Sequence, residues 1–514
     1  MSENDSKVQN AITKLLKVGF QISPATLAML QMEKNPKQIV DRFLASDAVH
    51  PTETPVLEPF HFQIPQQEPM EILQGEETSS QEIQIPQLTS STKVAEGVKA
   101  DIRIIKDPTP ELKGKGTIED FAANFQDRYY RLRDIFAQRV DGRGITDIRD
   151  ATSTHDPNEK TSPVKIIGLV TNKTMTKSGN IALEVEDPTG RIIVIVQQRD
   201  PNIMKKASVI LLDQVLVIEG TAFGADMLIA NDLYLPDTPS NRKNNRAKED
   251  ISALLLSDIH FGSQHFLDKV FRRFLDWLQG NEGDDDHIAL ANSVKYIIIN
   301  GDLVDGVGVY PKQLSELLLY DLDSQFSGLN QLLEEIPNHI EIIITPGNHD
   351  GVRVAIPRPA IEDQFLGQLK DAGLSVLSLG CPAQVSLHGV NLLIYHGDSL
   401  IDIMGALSKP DVEAGYAAMR EMLRGRHLAP IYGKSTTIVA EPRDWLVIDE
   451  VPDILHCGHI HVTSVGSYRN TLMINSGTFQ SQTEYQKLIG IEPTPGVVPL
   501  VNLRTLSVKT LNFT

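Results

Sequence analysis

Five short apolar runs in this chain each finish on residues able to hold a proton or a metal ion. That recurrence constrains the fold more than any other feature. ISALLLSDIH ends in Asp258 and His260, VKYIIINGD in Asp302, and IEIIITPGNHD carries Asn348 and His349. NLLIYHGD carries His396, and PDILHCGHIH carries His459 and His461. Continuous apolar runs bounded by Gly, Pro and polar residues read as strands buried on both faces. A single Asp-x-His is common by chance, but five runs ending alike are not. Helical segments such as HFLDKVFRRFLDWLQ alternate with the runs, so residues 250–514 are predicted to form a layered α/β domain. In such domains polar chemistry collects at the carboxyl ends of the strands.

The donors at those ends are carboxylate, carboxamide and imidazole groups, with no thiolate. Such a set suits Mn, Fe or Zn better than an all-oxygen Mg or Ca site. There are too many donors for one tetrahedral ion and enough for two. Asp258 and His260, two residues apart, are expected to point the same way from an extended segment. Gly301, Gly347 and Gly458 each precede a donor and are expected to let the chain turn tightly off its strand.

The 514 residues allow two to four domains. Residues 1–47 read as a small helical module, with Ile12, Leu15, Leu16 and Phe20 at helical spacing and Ser23 capping a second helix before Pro24. Residues 48–113 are rich in Pro, Gln, Glu, Ser and Thr and are predicted to be a disordered linker. A helical segment over 114–154 follows, with Thr117 as its N-cap. Residues 155–240 read as strands broken by turns, with Ile181, Leu183 and Val185 on one face and a turn at Asp187-Pro188-Thr189-Gly190. Three strands, a helix and two more strands are the order of a five-stranded OB barrel. The early strands lack a row of aromatics, which base stacking favours, so an adaptor role is expected ahead of single-strand binding. NRKNNRAKED reads as a linker into the layered domain.

Composition limits the partners. Lys and Arg number 48 against 67 Asp and Glu, a formal net charge of -19. Such a field opposes approach to phosphate backbones, so a nucleic-acid role needs local basic groups, a metal-charged site or a partner that grips the strand. No apolar run approaches the roughly 18 residues of a membrane span, and MSENDSKVQN has no signal-peptide core. A cytoplasmic chain is therefore expected, with no membrane contact. Cys381 and Cys457 are too few for a cysteine zinc module and are expected to be small buried residues.

Taken in order, Asp258-x-His260, Gly301-Asp302-x-x-Asp305, Gly347-Asn348-His349-Asp350, His396 and Gly458-His459-x-His461 resemble the signature of the calcineurin-like metallophosphoesterase superfamily. The resemblance implies a two-sheet α/β/β/α domain holding two divalent ions, with Mn2+ expected. Asp258, His260 and His461 would hold one ion, Asn348, His396 and His459 the other, and Asp302 would bridge them. His349 would be the catalytic, non-ligand histidine that contacts the phosphate and assists the leaving group. Two cations about 3.5–4 Å apart acidify water and neutralise charge on a phosphate under attack. His265, Asp305, Asp350 and Asp398, next to the motifs, are expected to orient the ligands. GDLVDG lacks the arginine found after the corresponding aspartate in Ser/Thr phosphatases.

Beyond the ligands, SDIHFGS, GNHDGVRVAIPRPA and GRHLAPIYGKSTTIVAEPRDWLVIDEVPDILHCGHIHV resemble the family of archaeal family D DNA polymerase small subunits, from about His155 onward. That implies a 3′–5′ exonuclease acting on DNA 3′ ends and releasing nucleoside 5′-monophosphates. It also implies a heterodimer with a large polymerising subunit, which would supply most of the DNA contact. Arg353, Arg358 and His427 are expected to touch the substrate, with Arg420, Arg424 and Arg426 extending a basic rim. The alternatives are a platform joining the large subunit to other replication factors, or a stand-alone phosphodiesterase on small nucleotides.

Overall fold

The computed structural model describes residues 94–153, 163–223, 226–407 and 414–514, with two short segments, Gln21–Ile22 and Val56–Leu57. Those segments pair in parallel within a first unit, residues 1–87. The expected helices of residues 1–47 and most of the expected linker lie outside the described residues. All that follows concerns the second unit, 88–514.

Two six-stranded sheets lie face to face. The first runs, in spatial order, Ser375–Ser378, Glu341–Thr345, Val294–Asn300, Ser252–Leu256, Val497–Asn502 and Val508–Asn512. Its first four strands are parallel and its last two are antiparallel additions. The second runs Ser464–Tyr468, Thr471–Asn475, Ile454–Cys457, Val390–Ile394, Ala383–Leu387 and Ile102–Lys106.

Every residue of Ser252–Leu256 and Val294–Asn300 is buried, as strands covered on both faces require. The period of two then assigns the layers. Leu255, Tyr296, Ile298 and Ile343 pack against Val385, Leu392, Ile394 and Ile454 between the sheets. Their neighbours Leu254, Leu256, Ile297 and Ile342 pack against the helices Asp268–Leu278, Leu322–Leu333 and Asp363–Asp371. On the far side Leu393, Leu455 and Met473 pack under Leu400–Ala406 and Ala414–Gly425. Cys381 and Cys457 are free and buried, both within that last core.

The linker expectation for 48–113 fails at its end. Ile102–Lys106 is an edge strand antiparallel to Ala383–Leu387. Paired on one side only, it leaves Ile104 47% exposed, so five residues of mixed polarity suffice and the polar flanks hide them. The linker read in 241–250 is also pinned: Asn245 donates to the Asp453 carboxylate at 2.9 and 3.0 Å, Arg242 pairs with it, and Ala247 is buried.

The helix Ile118–Ala137 starts where Thr117 predicts, in a capping box closed by Asp120. Its Tyr129, Leu132 and Phe136 pack on Ile167, Leu169, Val215 and Val217 of a closed barrel. The barrel strands follow one another in space as Pro163–Met175, Ile181–Asp187, Gly190–Val196, Met227–Tyr234 and Val215–Phe223. Ile181, Leu183 and Val185 face its interior, and Asp200 caps the helix Pro201–Ser208, which follows the third of these strands along the chain.

One buried ionic knot ties helix, barrel and sheets. Arg128 Nε meets Asp444 Oδ2 at 2.7 Å, and its Nη1 donates to the carbonyls of Asp213 and Pro430. His427 Nε2 lies 2.9 Å from the same Asp444 oxygen, and Arg128, His427 and Asp444 are all buried. Burial opposes ionisation of Asp444, yet His427 and Arg128 hold its carboxyl far below the usual range. Burial, with Arg128 alongside, pushes His427 down to about 4. Asp444→Ala would strand the Arg128 charge, and a stability loss of about 3–5 kcal/mol is expected in urea unfolding. Because His427 is held neutral, the unfolded chain binds more protons between pH 6.5 and about 4. Its contribution to stability should be intact above pH 6.5 and decline toward pH 4, a slope that His427→Gln should flatten.

Candidate metal centre

The strands Ser252–Leu256, Val294–Asn300 and Glu341–Thr345 are parallel neighbours in one sheet, and Val390–Ile394 and Ile454–Cys457 in the other. Parallel pairing puts their carboxyl ends together at one edge. There Asp258, His260, Asp302, His349, His396, His459 and His461 converge, in three groups whose donor atoms lie within 4.8 Å of one another. Asn348 lines the same cleft.

The donors do not project from extended backbone, as the Asp-x-His spacing suggested. Asp258, His260, Asp302, His459 and His461 have φ of 55°, 52°, 52°, 70° and 58°. Left-handed backbone costs a non-glycine residue on the order of 1–3 kcal/mol, and five cases in one site mark it as constrained. Cross-loop hydrogen bonds hold these turns: Asp258 N donates to Gly301 O at 2.9 Å and His260 N to Asp302 O at 3.0 Å.

Of the three glycines, only Gly301 needs positive φ, at 80°. The other two are small because acidic oxygens press on them. A Cβ on Gly347 would lie 2.1 Å from Asp302 Oδ1, and one on Gly458 2.6 Å from Asp258 Oδ2.

Asp302 sits at the middle. Its Oδ2 is 3.2 Å from His396 Nε2, 3.8 Å from His260 Nε2 and 3.9 Å from His349 Nε2. On one side His461 Nε2 lies 3.1 Å from His260 Nε2 and 3.4 Å from Asp258 Oδ1. On the other, His459 Nδ1 lies 3.3 Å from His396 Nε2. Burial resists the charge on Asp302, but His396 and His349 hold its carboxyl well below the usual range. Burial likewise opposes a charged His396, yet Asp302 outweighs it and pushes the imidazole up to about 10. Burial and His396 push His459 down to about 4.

Asp258 Oδ1 and Asn348 Oδ1 are buried with no hydrogen-bond partner. A stranded oxygen costs about 1–3 kcal/mol, and both belong to the donor set. Converging lone pairs of this kind fit divalent cations better than they fit a closed protein core.

Surrounding groups aim the imidazoles. Asp305 Oδ1 holds His260 Nδ1 at 3.1 Å, and the Asn300 carbonyl holds His396 Nδ1 at 2.9 Å, turning both Nε2 atoms inward. Gln486 Nε2 lies 2.7 Å from His461 Nδ1. Asp350 acts through backbone, accepting the N–H groups of Leu303, Val304 and Gly347. Burial and Asp302 push its carboxyl up to about 6. His265 lies outside this shell, with Nδ1 at 3.4 Å from Ser481 Oγ. His349 Nδ1 donates to the Asp305 carbonyl at 2.6 Å, leaving Nε2 facing the cleft.

The residues expected to touch the substrate are not brought to the cleft. Arg358 is fully buried, paired with Asp398 and donating to Val354 O. His427 belongs to the Asp444 knot. Arg353 donates to Pro357 O at 2.7 Å and to Glu441 at 2.9 Å. The rim read in Arg420, Arg424 and Arg426 is likewise committed, the first two to Glu421 and the third to the Ile448 and Asp449 carbonyls. In so acidic a chain these guanidinium groups neutralise nearby carboxylates and cap internal carbonyls. The cleft, about 630 Å3, is instead lined above the donors by Tyr310, Lys312, Ile460, Tyr485 and Leu488. No spacing rule singles these out, because they come from irregular loops and a short helix.

Residues 253–465, which carry every donor, match the family of B-type subunits of DNA polymerases alpha and epsilon. The chain is 38% identical over 402 residues to the DNA polymerase II small subunit of Methanothermobacter thermautotrophicus, covering 78% of this chain and 81% of the relative. The Archaeoglobus fulgidus protein of that name is 38% identical over 406 residues, covering 78% and 80%. The Pyrococcus horikoshii one is 37% identical over 424 residues, covering 81% and 67%. The chain belongs to the family of archaeal DNA polymerase II small subunits, the family D subunits that its motifs resemble. A solved archaeal phosphodiesterase covers 51% of this chain at 15% identity and a TM-score of 0.26, too slight a likeness to define the fold.

Gly347→Ala should overpack the Asp302 carboxylate and lower stability by about 1–3 kcal/mol in denaturant unfolding. Gly367→Ala, in helix Asp363–Asp371 with nothing within 4 Å of the added carbon, should instead be neutral or stabilising by about 0.5–1 kcal/mol.

Proposed function

We propose that this chain is the small subunit of a heterodimeric replicative polymerase and carries a two-metal 3′–5′ exonuclease that trims DNA ends. In this reading the barrel is an OB fold and the two-sheet domain a calcineurin-like phosphoesterase. The observation that carries it is the convergence of eight donors, two of them stranded oxygens, in a member of a polymerase-subunit family.

Asp258, His260 and His461 would hold one cation, Asn348, His396 and His459 the other, and Asp302 both. Bound there, the cations, best Mn2+ for this donor set, supply Lewis acidity toward water and the phosphodiester. The chain's own residues do the rest. Asp305 holds His260 in register and, through its carbonyl, fixes His349 with Nδ1 as donor. Only Nε2 of His349 then remains to pass a proton to the departing 3′ oxygen. Burial of Asp258, Asp302 and His396 keeps bulk water from the donor oxygens.

The internal use of Arg353, Arg358 and Arg426 supports a division of labour in which a large subunit grips the DNA. The same observation favours a second role, as a platform between that subunit and other replication factors. No described helix is long and apolar enough to cross a membrane, and we place the protein in the cytoplasm, with the DNA.

The test is digestion of 3′-labelled matched and mismatched primers with Mn2+, by this chain alone and with its large subunit. Wild type should release 5′-mononucleotides. Asp302→Ala and His349→Ala should each lower the rate about 100-fold or more. Metal analysis should find two ions per wild-type chain, fewer in Asp302→Ala and two in His349→Ala, with assembly retained throughout. Two bound ions without nucleotide release, alone or in the complex, would leave only the platform.

A further inference from the structure

The cleft above the donors has walls of a different chemistry from its floor. The floor is imidazole and carboxylate. One wall carries Val309, Tyr310 and Pro311, and the other Ile460, Tyr485 and Leu488. Tyr485 is 61% and Leu488 85% exposed. Large apolar groups held open to water beside a polar site give folding nothing, so a ligand surface accounts for them better. Lys312 is the only lysine or arginine among the described lining residues. The cleft therefore offers no cationic track for two phosphate rows, and its volume is that of a small-ligand site.

Both tyrosines are tied to the chemistry. Tyr310 donates its hydroxyl to Glu316 at 2.9 Å, and its ring centroid lies 6.1 Å from that of His349. Tyr485 sits on the helix Glu484–Ile489, whose capping box pairs Thr483 with Gln486. The Gln486 side chain that closes the box also lies 2.7 Å from His461 Nδ1. The second wall is thus fixed to the floor by one side chain.

We propose that Tyr310 and Tyr485, with Leu488, form a slot that takes the unpaired terminal bases of a single DNA strand. The site would then act on single-stranded or frayed 3′ ends and pass over paired ones. This rests on the exonuclease reading and adds to it a discrimination that the donors alone do not make. Every base has a π-face, so stacking accepts any sequence, which trimming requires. A mismatched end frays more readily than a matched one, so the slot selects errors without reading bases.

The experiment compares wild type, Tyr485→Ala and Tyr485→Phe, as full chains, on three substrates. These are a thymine 3′ single strand, the same strand ending in abasic tetrahydrofuran residues, and a blunt matched duplex. Wild type should prefer the thymine strand over both others. Tyr485→Ala should raise KM for the thymine strand about tenfold beyond any change for the abasic strand, with kcat within about twofold, the scale of losing one stack. Tyr485→Phe, which keeps the π-face, should restore it. Equal effects on thymine and abasic strands, or a blunt duplex cut as readily as a single strand, would overturn the slot.

Fluorescence anisotropy of a fluorescein-labelled thymine oligonucleotide in EDTA separates the slot from the nuclease. Binding that weakens in Tyr485→Ala and recovers in Tyr485→Phe, without cleavage by wild type in Mn2+, would sink the nuclease and keep the slot. Cleavage in Mn2+ with no dependence on terminal bases in either assay would keep the nuclease and sink the slot.

Discussion

A carboxylate buried where two sheets meet sets the terms for the rest of this domain. Asp302 has its Oδ1 on the His349 backbone N–H at 2.9 Å and its Oδ2 turned to His396. A charge taken out of water must be met by other charges and donors. Those can reach it only if several strand ends arrive together. Parallel pairing within each sheet and face-to-face packing between sheets bring them there, with Leu255, Ile298 and Ile343 meeting Val385, Leu392 and Ile394 across the interface. The strained turns at Asp258, His260, His459 and His461 follow from the same need, as do the missing side chains at Gly347 and Gly458. A strand that ran straight on would carry its donors past the site.

The legible part of this arrangement was short-range. An apolar run followed by a donor is a local pattern, and the structure brings all eight such donors to one edge. The Thr117 capping box and the barrel strand Ile181–Asp187 were legible for the same reason, since each is written within a few residues. The arginines were not. Arg128 meets Asp444 across 316 residues and Arg358 meets Asp398 across 40, and nothing local separates a buried guanidinium from a substrate clamp. Ile102–Lys106 was hidden by the composition around it. Its stability comes from Ala383–Leu387, far along the chain, and a composition window averages such a partner away. Tyr310 and Tyr485 fell between these cases: visible as aromatics, but placed by a loop and a short helix that carry no period.

The chain's charge takes on a structural meaning once the partners are known. A net charge of -19 looks unsuited to DNA when read as a total. Locally, however, the carboxylates fall into distinct uses. Asp302 and Asp258 face the cleft, while Asp444, Asp398 and Asp453 hold arginines that fasten segments together. The arginines are spent on architecture, and the cleft is left nearly bare of fixed cations. In the proposed reaction, positive charge at the scissile phosphate then comes from bound ions and the grip on the strand from a partner. The two functions become separable, as a proofreading site requires if it is to release a correctly paired end.

The Arg128–Asp444–His427 knot bears on how such a site is delivered. It joins the helix Ile118–Ala137, which covers one face of the barrel, to the segment just before Ile454–Cys457, the strand that leads into His459 and His461. Buried ion pairs contribute little net stability compared with apolar packing, but they tolerate few alternative geometries. With Asn124 also donating to Glu441 O at 2.7 Å, the barrel is held to the sheets by directional contacts. Shape-tolerant apolar packing alone would leave it freer to shift. A chain that gripped its partner through the barrel would therefore transmit its position to the metal-ligand loops as one body. The orientation of the cleft toward an incoming strand is then a property of assembly, set before the strand arrives.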